Sequence, residues 1–401
     1  MREIVARLLR WQSIKYINKN KPKIVVITGS VGKTSTTQAI ATVLSRSFRV
    51  RKTLENYNTE FGIPCSVFAN KLPGSIKNPF AWLWLIIKNQ ISIFKKAPFD
   101  VLVLELGTDK PGDIKSYNWI NADVAVVTAI AAEHMEYFKT LEAVAEEELS
   151  VGEYSEKVLI NKNMVDNKYL KYINNDQIFN YAREDIERLN IKQSDLQVLA
   201  SHSVDAVSAA IAVGKVFGMS DSELINGAKS IKPLPGRMQR LEGIKNSTII
   251  DDTYNSSPEA VKAALEYIYQ TESTQRIALL GSMDELGSTS RDSHIEVGNY
   301  CDPKKIDLVV TLGQDANNYL ADAAKDNGCA VAESMTTYEA AGIIKRQLRE
   351  GATVLCKGSQ NGVFAEEAVK LLLEDQNDSK YLVRQSKSWM KKKQKNFSGK
   401  A

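Results

Sequence analysis

Residues 24–36, Ile-Val-Val-Ile-Thr-Gly-Ser-Val-Gly-Lys-Thr-Ser-Thr, constrain this chain more than any other stretch. An apolar, β-branched run enters a turn with two glycines. Residues 37–45 follow with Ala39, Ile40, Val43 and Leu44 at helical spacing. Strand, glycine turn, lysine and helix in that order make a phosphate cradle. Gly29 and Gly32 let the backbone bend so that its amides point at an anion, and the helix N-terminus adds partial positive charge. On this reading Gly29, Ser30, Val31, Gly32, Lys33, Thr34 and Ser35 hold a nucleoside triphosphate. Lys33 reaches the terminal phosphates and the Thr34 hydroxyl serves Mg²⁺. Only Ser30 and Val31 separate the glycines, where the common P-loop has four residues, which weighs against a generic kinase or GTPase.

Strand-like runs alternate with helical patterns along most of the chain, near 24–28, 101–105, 123–128 and 158–160. Short, continuous, β-branched runs of this kind are buried parallel strands. Lys232-Pro-Leu-Pro-Gly-Arg237 punctuates the chain. A second alternating series then begins, with strands near 248–251, 276–281, 307–312, 329–332 and 353–356. The expected fold class is α/β: a P-loop central domain with a mainly parallel sheet, then a C-terminal Rossmann-like α/β domain. The expected boundaries are an amphipathic segment at 1–23, the central domain at 24–234, the C-terminal domain at 235–383 and a basic, disordered tail at 384–401.

In open α/β sheets ligands lie beyond the carboxyl ends of the strands. Glu105 ends the run 101–105, where a further Mg²⁺ contact belongs. His134 lies beyond the run 123–128, and neutral imidazole can ligate a metal that also holds phosphate. Asp251 and Asp252 close another strand, where an acid can accept ribose hydroxyls or merely precede a helix cap. Lys357 and Ser359 sit at a strand end, and Arg237 lies at the domain junction, suited to neutralising phosphate.

The 401 residues suffice for two or three domains. A net charge of only +4 makes no demand for nucleic acid. The four cysteines form no Cys-x-x-Cys pair, which suits a reducing cytosol and argues against zinc or disulfides. No signal peptide is evident. Residues 80–87, Phe-Ala-Trp-Leu-Trp-Leu-Ile-Ile, are too short to span a bilayer. They read first as a helix packed on the core, with a helix lying against a membrane as the alternative. A cytoplasmic location follows, with possible peripheral contact at the inner face of the membrane.

These segments together resemble the Mur ligase family, the ATP-dependent amide-forming enzymes of cell-wall (peptidoglycan) biosynthesis. The resemblance spans about residues 24–375. It rests on Thr28–Thr36, Asn56–Pro64, Glu105-Leu-Gly with Pro111-Gly-Asp-Ile114, and Thr128 to His134. It continues through Gly236-Arg237, Asp251–Asn255 with Pro258, Gly281–Gly287 with His294, and Lys357-Gly-Ser359. It implies a monomeric ligase that takes ATP and Mg²⁺. A substrate carboxylate takes the γ-phosphoryl group, and an amino acid or dipeptide such as D-alanyl-D-alanine attacks the acyl phosphate of a peptide-bearing precursor. By the matched motifs Lys33, His134, Arg237 and Lys357 are catalytic. Thr34, Glu105 and His134 serve metal, and Asp252, Tyr254 and Asn255 meet the nucleotide. His294 is assigned packing.

Four departures qualify the resemblance. Only 23 residues precede the first strand, too few for the domain that holds the UDP-sugar, so a membrane-facing helix or a different carrier is the expected replacement. Glu148 stands where many members carry a carbamylated lysine; it either supplies that charge to the metal or belongs to a solvated acidic helix face. The family's His-Asn pair reads His202-Ser203, which removes adenine contacts there. Gln360 stands where Arg often follows Lys-Gly-Ser, which loses a bidentate anion contact. A polyglutamate-type or non-UDP-carrier ligase, and a nucleotide-dependent binding subunit, are the alternatives.

Overall fold

The computed structural model describes residues 2–54, 57–74, 78–131, 135–197, 201–284, 286–360 and 362–398. The chain divides into two compact units, one of residues 1–197 with 202–232 and the other of 198–201 with 233–401.

The first unit is built on six parallel strands: β1 (Lys23–Thr28), β2 (Val50–Lys52), β3 (Val101–Glu105), β4 (Ala122–Val127), β5 (Ser155–Asn161) and β6 (Ile178–Tyr181). Their order is β2-β3-β1-β4-β5-β6. The Val/Ile runs of β1, β3 and β4 are buried along nearly their whole length, so their continuity in sequence follows from cover on both faces. The register sets Ile27 opposite both Glu105 and Val126, which brings the ends of β1, β3 and β4 to one edge of the sheet. The helices are α1 (Arg2–Asn20), α2 (Lys33–Leu44), α3 (Gly62–Phe68), α4 (Pro79–Ile93), the single turn α5 (Met135–Phe138), α6 (Leu141–Leu149), α7 (Glu184–Glu187), α8 (Ser201–Val216) and α9 (Asp221–Lys229).

α1 and α4 pack together through Leu9, Trp82 and Leu85. Gln12 donates to the Ile86 carbonyl at 2.9 Å, and Lys19 donates to the Ile93 carbonyl at 2.9 Å and the Phe94 carbonyl at 2.8 Å. That last contact places a cation on the carbonyls that close α4.

The second unit holds β7 (Gln239–Gly243), β8 (Ser247–Asp252), β9 (Arg276–Gly281), β10 (Leu308–Leu312), β11 (Val331–Ser334) and β12 (Thr353–Lys357). Their order is β11-β10-β9-β12-β8-β7, and β7 is the antiparallel edge. Lys245 and Asn246, both at positive φ, turn β7 into β8. Positive φ at two consecutive turn residues is the hairpin geometry that follows strand twist. The helices are α10 (Pro258–Gln270), α11 (Ser290–Tyr300), α12 (Ala321–Asp326), α13 (Thr337–Gln347), α14 (Glu366–Leu372) and α15 (Lys387–Ser398).

The expected disordered tail at 384–401 is corrected by α15. Lys393 is 1 % exposed and pairs with Glu366 at 2.8 Å and Glu367 at 2.6 Å. Burial alone would raise the Glu367 carboxyl, but Lys393 outweighs it and holds that carboxyl below its ordinary range. One cation of the basic run is thus neutralised inside the fold, which lets the segment dock.

Candidate active site

The turn from β1 to α2 has Gly29 at φ 119 and Gly32 at φ 89, conformations that side chains rarely adopt. At Gly29 a Cβ would also stand 2.4 Å from the Thr128 hydroxyl, so strand β4's continuation closes on the loop. No side chain caps α2 and no acid lies in its first turn. A helix leaves its opening amides without intrahelical acceptors, and the N-cap Gly32 supplies no side-chain acceptor.

The first two amides of the turn differ from expectation. The Gly29 amide donates to the Glu148 carboxylate at 2.9 Å, and the Ser30 amide donates to the Ala129 carbonyl at 2.9 Å. Both are turned into the fold. Ser30 adds a pair of 3.0 Å bonds to the backbone of Ala131. Val31 is exposed at the loop tip. Lys33 folds back onto the Gly29 and Ser30 carbonyls, which hold the ammonium over the loop.

Glu105, at the end of β3, is buried and accepts from the exposed Thr34 hydroxyl at 3.2 Å. The Asn58 amide approaches the same oxygen at 3.4 Å. The Asn58 carbonyl in turn accepts from the Gly107 amide at 3.0 Å and the Tyr117 hydroxyl at 3.2 Å. Asn58 thereby ties the Asn-Tyr-Asn motif to the Glu105-Leu-Gly segment. Both motifs stand out in the sequence, but nothing in it marks a task for Asn58. His134 lies outside the described residues, as does the side chain of His202.

Glu148 is 1 % exposed, which removes the reading of a solvated helix face at this position. Besides the Gly29 amide it accepts from the Thr28 hydroxyl. Its neighbour Glu147 is also buried and accepts from the Gly112 and Ile114 amides, both at 2.6 Å. Burial raises the Glu147 carboxyl against the pull of those amides. Thus α6 fixes the phosphate loop with one acid and the Pro111–Ile114 loop with the next.

In the second unit Lys357 ends β12 directly opposite Asp252 on β8. Its ammonium lies 2.6 Å from the Asp252 carboxylate and 3.0 Å from the Asn255 carbonyl. The other Asp252 oxygen accepts from the Met238 amide at 3.1 Å. Two residues expected to act separately are thus one buried pair. Burial pushes the neighbouring Asp251 carboxyl up to about 7, against the 2.6 Å bond it accepts from the Thr253 hydroxyl. Arg237 stacks on Tyr254, its guanidinium carbon 4.1 Å from the ring centroid. Asn255 is exposed at the loop's end. Ser359 is buried and accepts from the Asp284 amide at 2.8 Å, which gives it a structural bond. His294 is fully buried; its Nε2 accepts from the Met283 amide at 3.0 Å and its Nδ1 is 2.7 Å from the Ser290 carbonyl, so it packs as expected.

Arg384 lies in the segment expected to be a disordered tail, yet it holds the backbone of the loop after β8. Its guanidinium pairs with both Glu366 oxygens, at 2.8 and 2.7 Å. It also donates to the Thr253 carbonyl at 2.5 Å and the Tyr254 carbonyl at 2.9 Å. No sequence signal announced it, because Glu366 is remote and a lone arginine before a lysine run reads as solvated. Arg384→Lys keeps the charge and loses the fork. It is expected to raise the KM for ATP about tenfold, close to 1.4 kcal/mol, with kcat nearly unchanged. Equal loss in both constants would mean general damage to the fold.

Residues 27–76 and 85–214 match the family model described as the Mur ligase middle domain, and residues 236–360 match that of the Mur ligase glutamate ligase domain. The UDP-N-acetylmuramoyl-tripeptide–D-alanyl-D-alanine ligase of Bacillus subtilis is 28% identical over 384 residues, covering 90% of this chain and 78% of that protein. A crystal structure of MurF from Acinetobacter baumannii superposes with a TM-score of 0.71 at 19% identity, over 92% of this chain and 80% of that one. MurF ligase from Thermotoga maritima, solved in complex with ADP, superposes with a TM-score of 0.68 at 22% identity, over 92% and 82%.

Proposed function

The chain belongs to the Mur ligase family and is an ATP-dependent peptide ligase, and from that premise we propose that it joins the carboxylate of a peptide-bearing cell-wall precursor to D-alanyl-D-alanine or a similar amine. The observation that carries this reading is the Thr34–Glu105 pair beside the lysine-bearing loop. Two hard oxygen donors, completed by phosphate oxygens and water, suit Mg²⁺, which binds through one or two carboxylates plus substrate phosphates. Thr34 and Glu105 would hold the ion, with His134 proposed as a further ligand. When bound, it would neutralise charge on the transferring phosphoryl group.

The amides opening α2 bind the phosphates. Lys33 exchanges its loop carbonyls for the β- and γ-phosphate oxygens. An acceptor carboxylate oxygen bonds to the γ-phosphorus as the bond to the ADP oxygen breaks. The incoming amine then bonds to the acyl carbon, the carbon–oxygen bond to phosphate breaks, and the amine proton is given up. Asp252 and Asn255 meet the ribose, Tyr254 lies at the nucleotide, and Arg237 and Lys357 neutralise phosphate charge. The protein acts as a monomer on small molecules, in the cytoplasm or at the inner face of the membrane. Among the described residues no helix is long and apolar enough to cross a membrane.

Glu148 is proposed to supply, through the loop, the negative charge that a carbamylated lysine supplies elsewhere in the family. Glu148→Gln can keep the Gly29 bond while removing the charge. It is expected to raise the Mg²⁺ concentration for half-maximal rate about tenfold or more, roughly 1.4 kcal/mol. An unchanged Mg²⁺ titration would remove Glu148 from the site.

The test of the proposal is incubation with ATP, Mg²⁺, UDP-muramoyl-tripeptide and D-alanyl-D-alanine, with the product read by mass. The expected product carries both added alanines. Product only with a lipid-linked acceptor would change the carrier, and product only with glutamate would move the enzyme to the polyglutamate branch. Nucleotide binding with no amine-dependent turnover would make it a binding subunit.

A further inference from the structure

α4 is apolar on two opposite faces. Trp82, Leu85, Asn89 and Ile93 are buried. Phe80, Leu83, Trp84, Ile87, Ile91 and the capping Phe94 are exposed, from 42% at Ile87 to 80% at Phe80. At helical spacing those six fall within an arc of about 100°. Soluble surfaces carry single apolar residues freely, but a continuous row of this size marks a contact site.

The charge around the row selects what it contacts. Between Glu60 and Asp100 the chain has five lysines, Lys71, Lys77, Lys88, Lys95 and Lys96, and no acidic residue. Lys88, Lys95 and Lys96 are exposed beside the row, and Lys19 joins them at the end of α4. Aromatic and aliphatic side chains on one face, flanked by Lys88, Lys95 and Lys96, for which no ion pair forms among the described residues although Asp100 lies near Lys96, match an acyl boundary under anionic headgroups. A second protein copy would bring the same cations against themselves.

We propose that the outer face of α4 docks on an anionic phospholipid bilayer, with Phe80, Leu83, Trp84 and Phe94 inserted at the acyl boundary and Lys88, Lys95 and Lys96 at the phosphates. This deepens the peripheral location proposed above. Its test reads no catalysis, so it can fail while the ligase reading stands.

The full chain is centrifuged with phosphatidylcholine vesicles, with and without phosphatidylglycerol. The expected result is co-sedimentation with the anionic vesicles alone, lost in the Trp84→Glu/Phe94→Glu double variant. Lys88→Gln, Lys95→Gln and Lys96→Gln should each weaken it on the order of fivefold. These side chains are exposed, so circular dichroism should match the parent chain. Absence of vesicle binding would overturn the proposal, as would binding that survives the double variant. A dimer in light scattering that the same substitutions disperse would assign the face to a second copy and overturn it equally.

Discussion

Lys33→Met should lower kcat/KM for ATP on the order of 10²–10³-fold, about 3–4 kcal/mol of transition-state stabilisation, while the thermal transition stays close to that of the parent chain. The two halves of this expectation have separate origins. The ammonium sits at the opening of α2 and is held by the carbonyls of Gly29 and Ser30. Those carbonyls belong to a loop tip whose next residue is exposed, so water can take the place of the lost donor. Phosphoryl transfer has no such substitute, because its catalysis is charge neutralisation in a fixed place. Initial rates of phosphate release together with a thermal melt check both halves. A large fall in melting temperature would mean that Lys33 serves the fold; an undiminished rate would mean that the phosphates lie elsewhere.

Lys357→Met should behave in the opposite way. Lys357 and Asp252 are 3% and 8% exposed, and removing one member leaves the other as an uncompensated buried charge. The expected loss is about 3–5 kcal/mol of stability. Asp252→Asn/Lys357→Met removes both charges and should recover much of that stability, since replacing a buried pair is often near neutral. Activity should stay lost in both variants if the pair holds the 252–255 loop for the nucleotide. Denaturant melts of the single and double variants check the recovery of stability, and a double variant no more stable than the single one would contradict the burial argument.

The chemistry-bearing elements were the legible ones. β1, β3 and β4 carry continuous Val/Ile runs because both faces of the parallel sheet are covered, and the glycines beside Lys33 announce a turn that other residues cannot make. The position of Glu105 at the end of β3 was readable because a strand end is a fixed place in such a sheet. The misses share one cause: their partners are distant in sequence. Lys393 and Arg384 looked like part of a solvated basic run because Glu366 and Glu367 lie on another helix. The amides of Gly29 and Ser30 were expected to face an anion, but Glu148 and Ala129 take them from the other side. β7 was hidden because Gln239–Gly243 alternates in burial at a sheet edge and its turn uses Lys245-Asn246, without the glycine that usually marks such hairpins. The Phe80–Ile87 run could not be assigned between packing and interface because α4 has an apolar face for each.

The central claim is that the acceptor's own carboxylate oxygen takes the γ-phosphoryl group. An acceptor peptide with ¹⁸O in its reacting carboxylate, turned over with ATP, Mg²⁺ and D-alanyl-D-alanine, tests it through the mass of the released phosphate. The account predicts one ¹⁸O in each phosphate released from fully labelled carboxylate, because the carbon–oxygen bond breaks when the amide forms. Product formed with unlabelled phosphate, or the label retained in ADP or water, would contradict it.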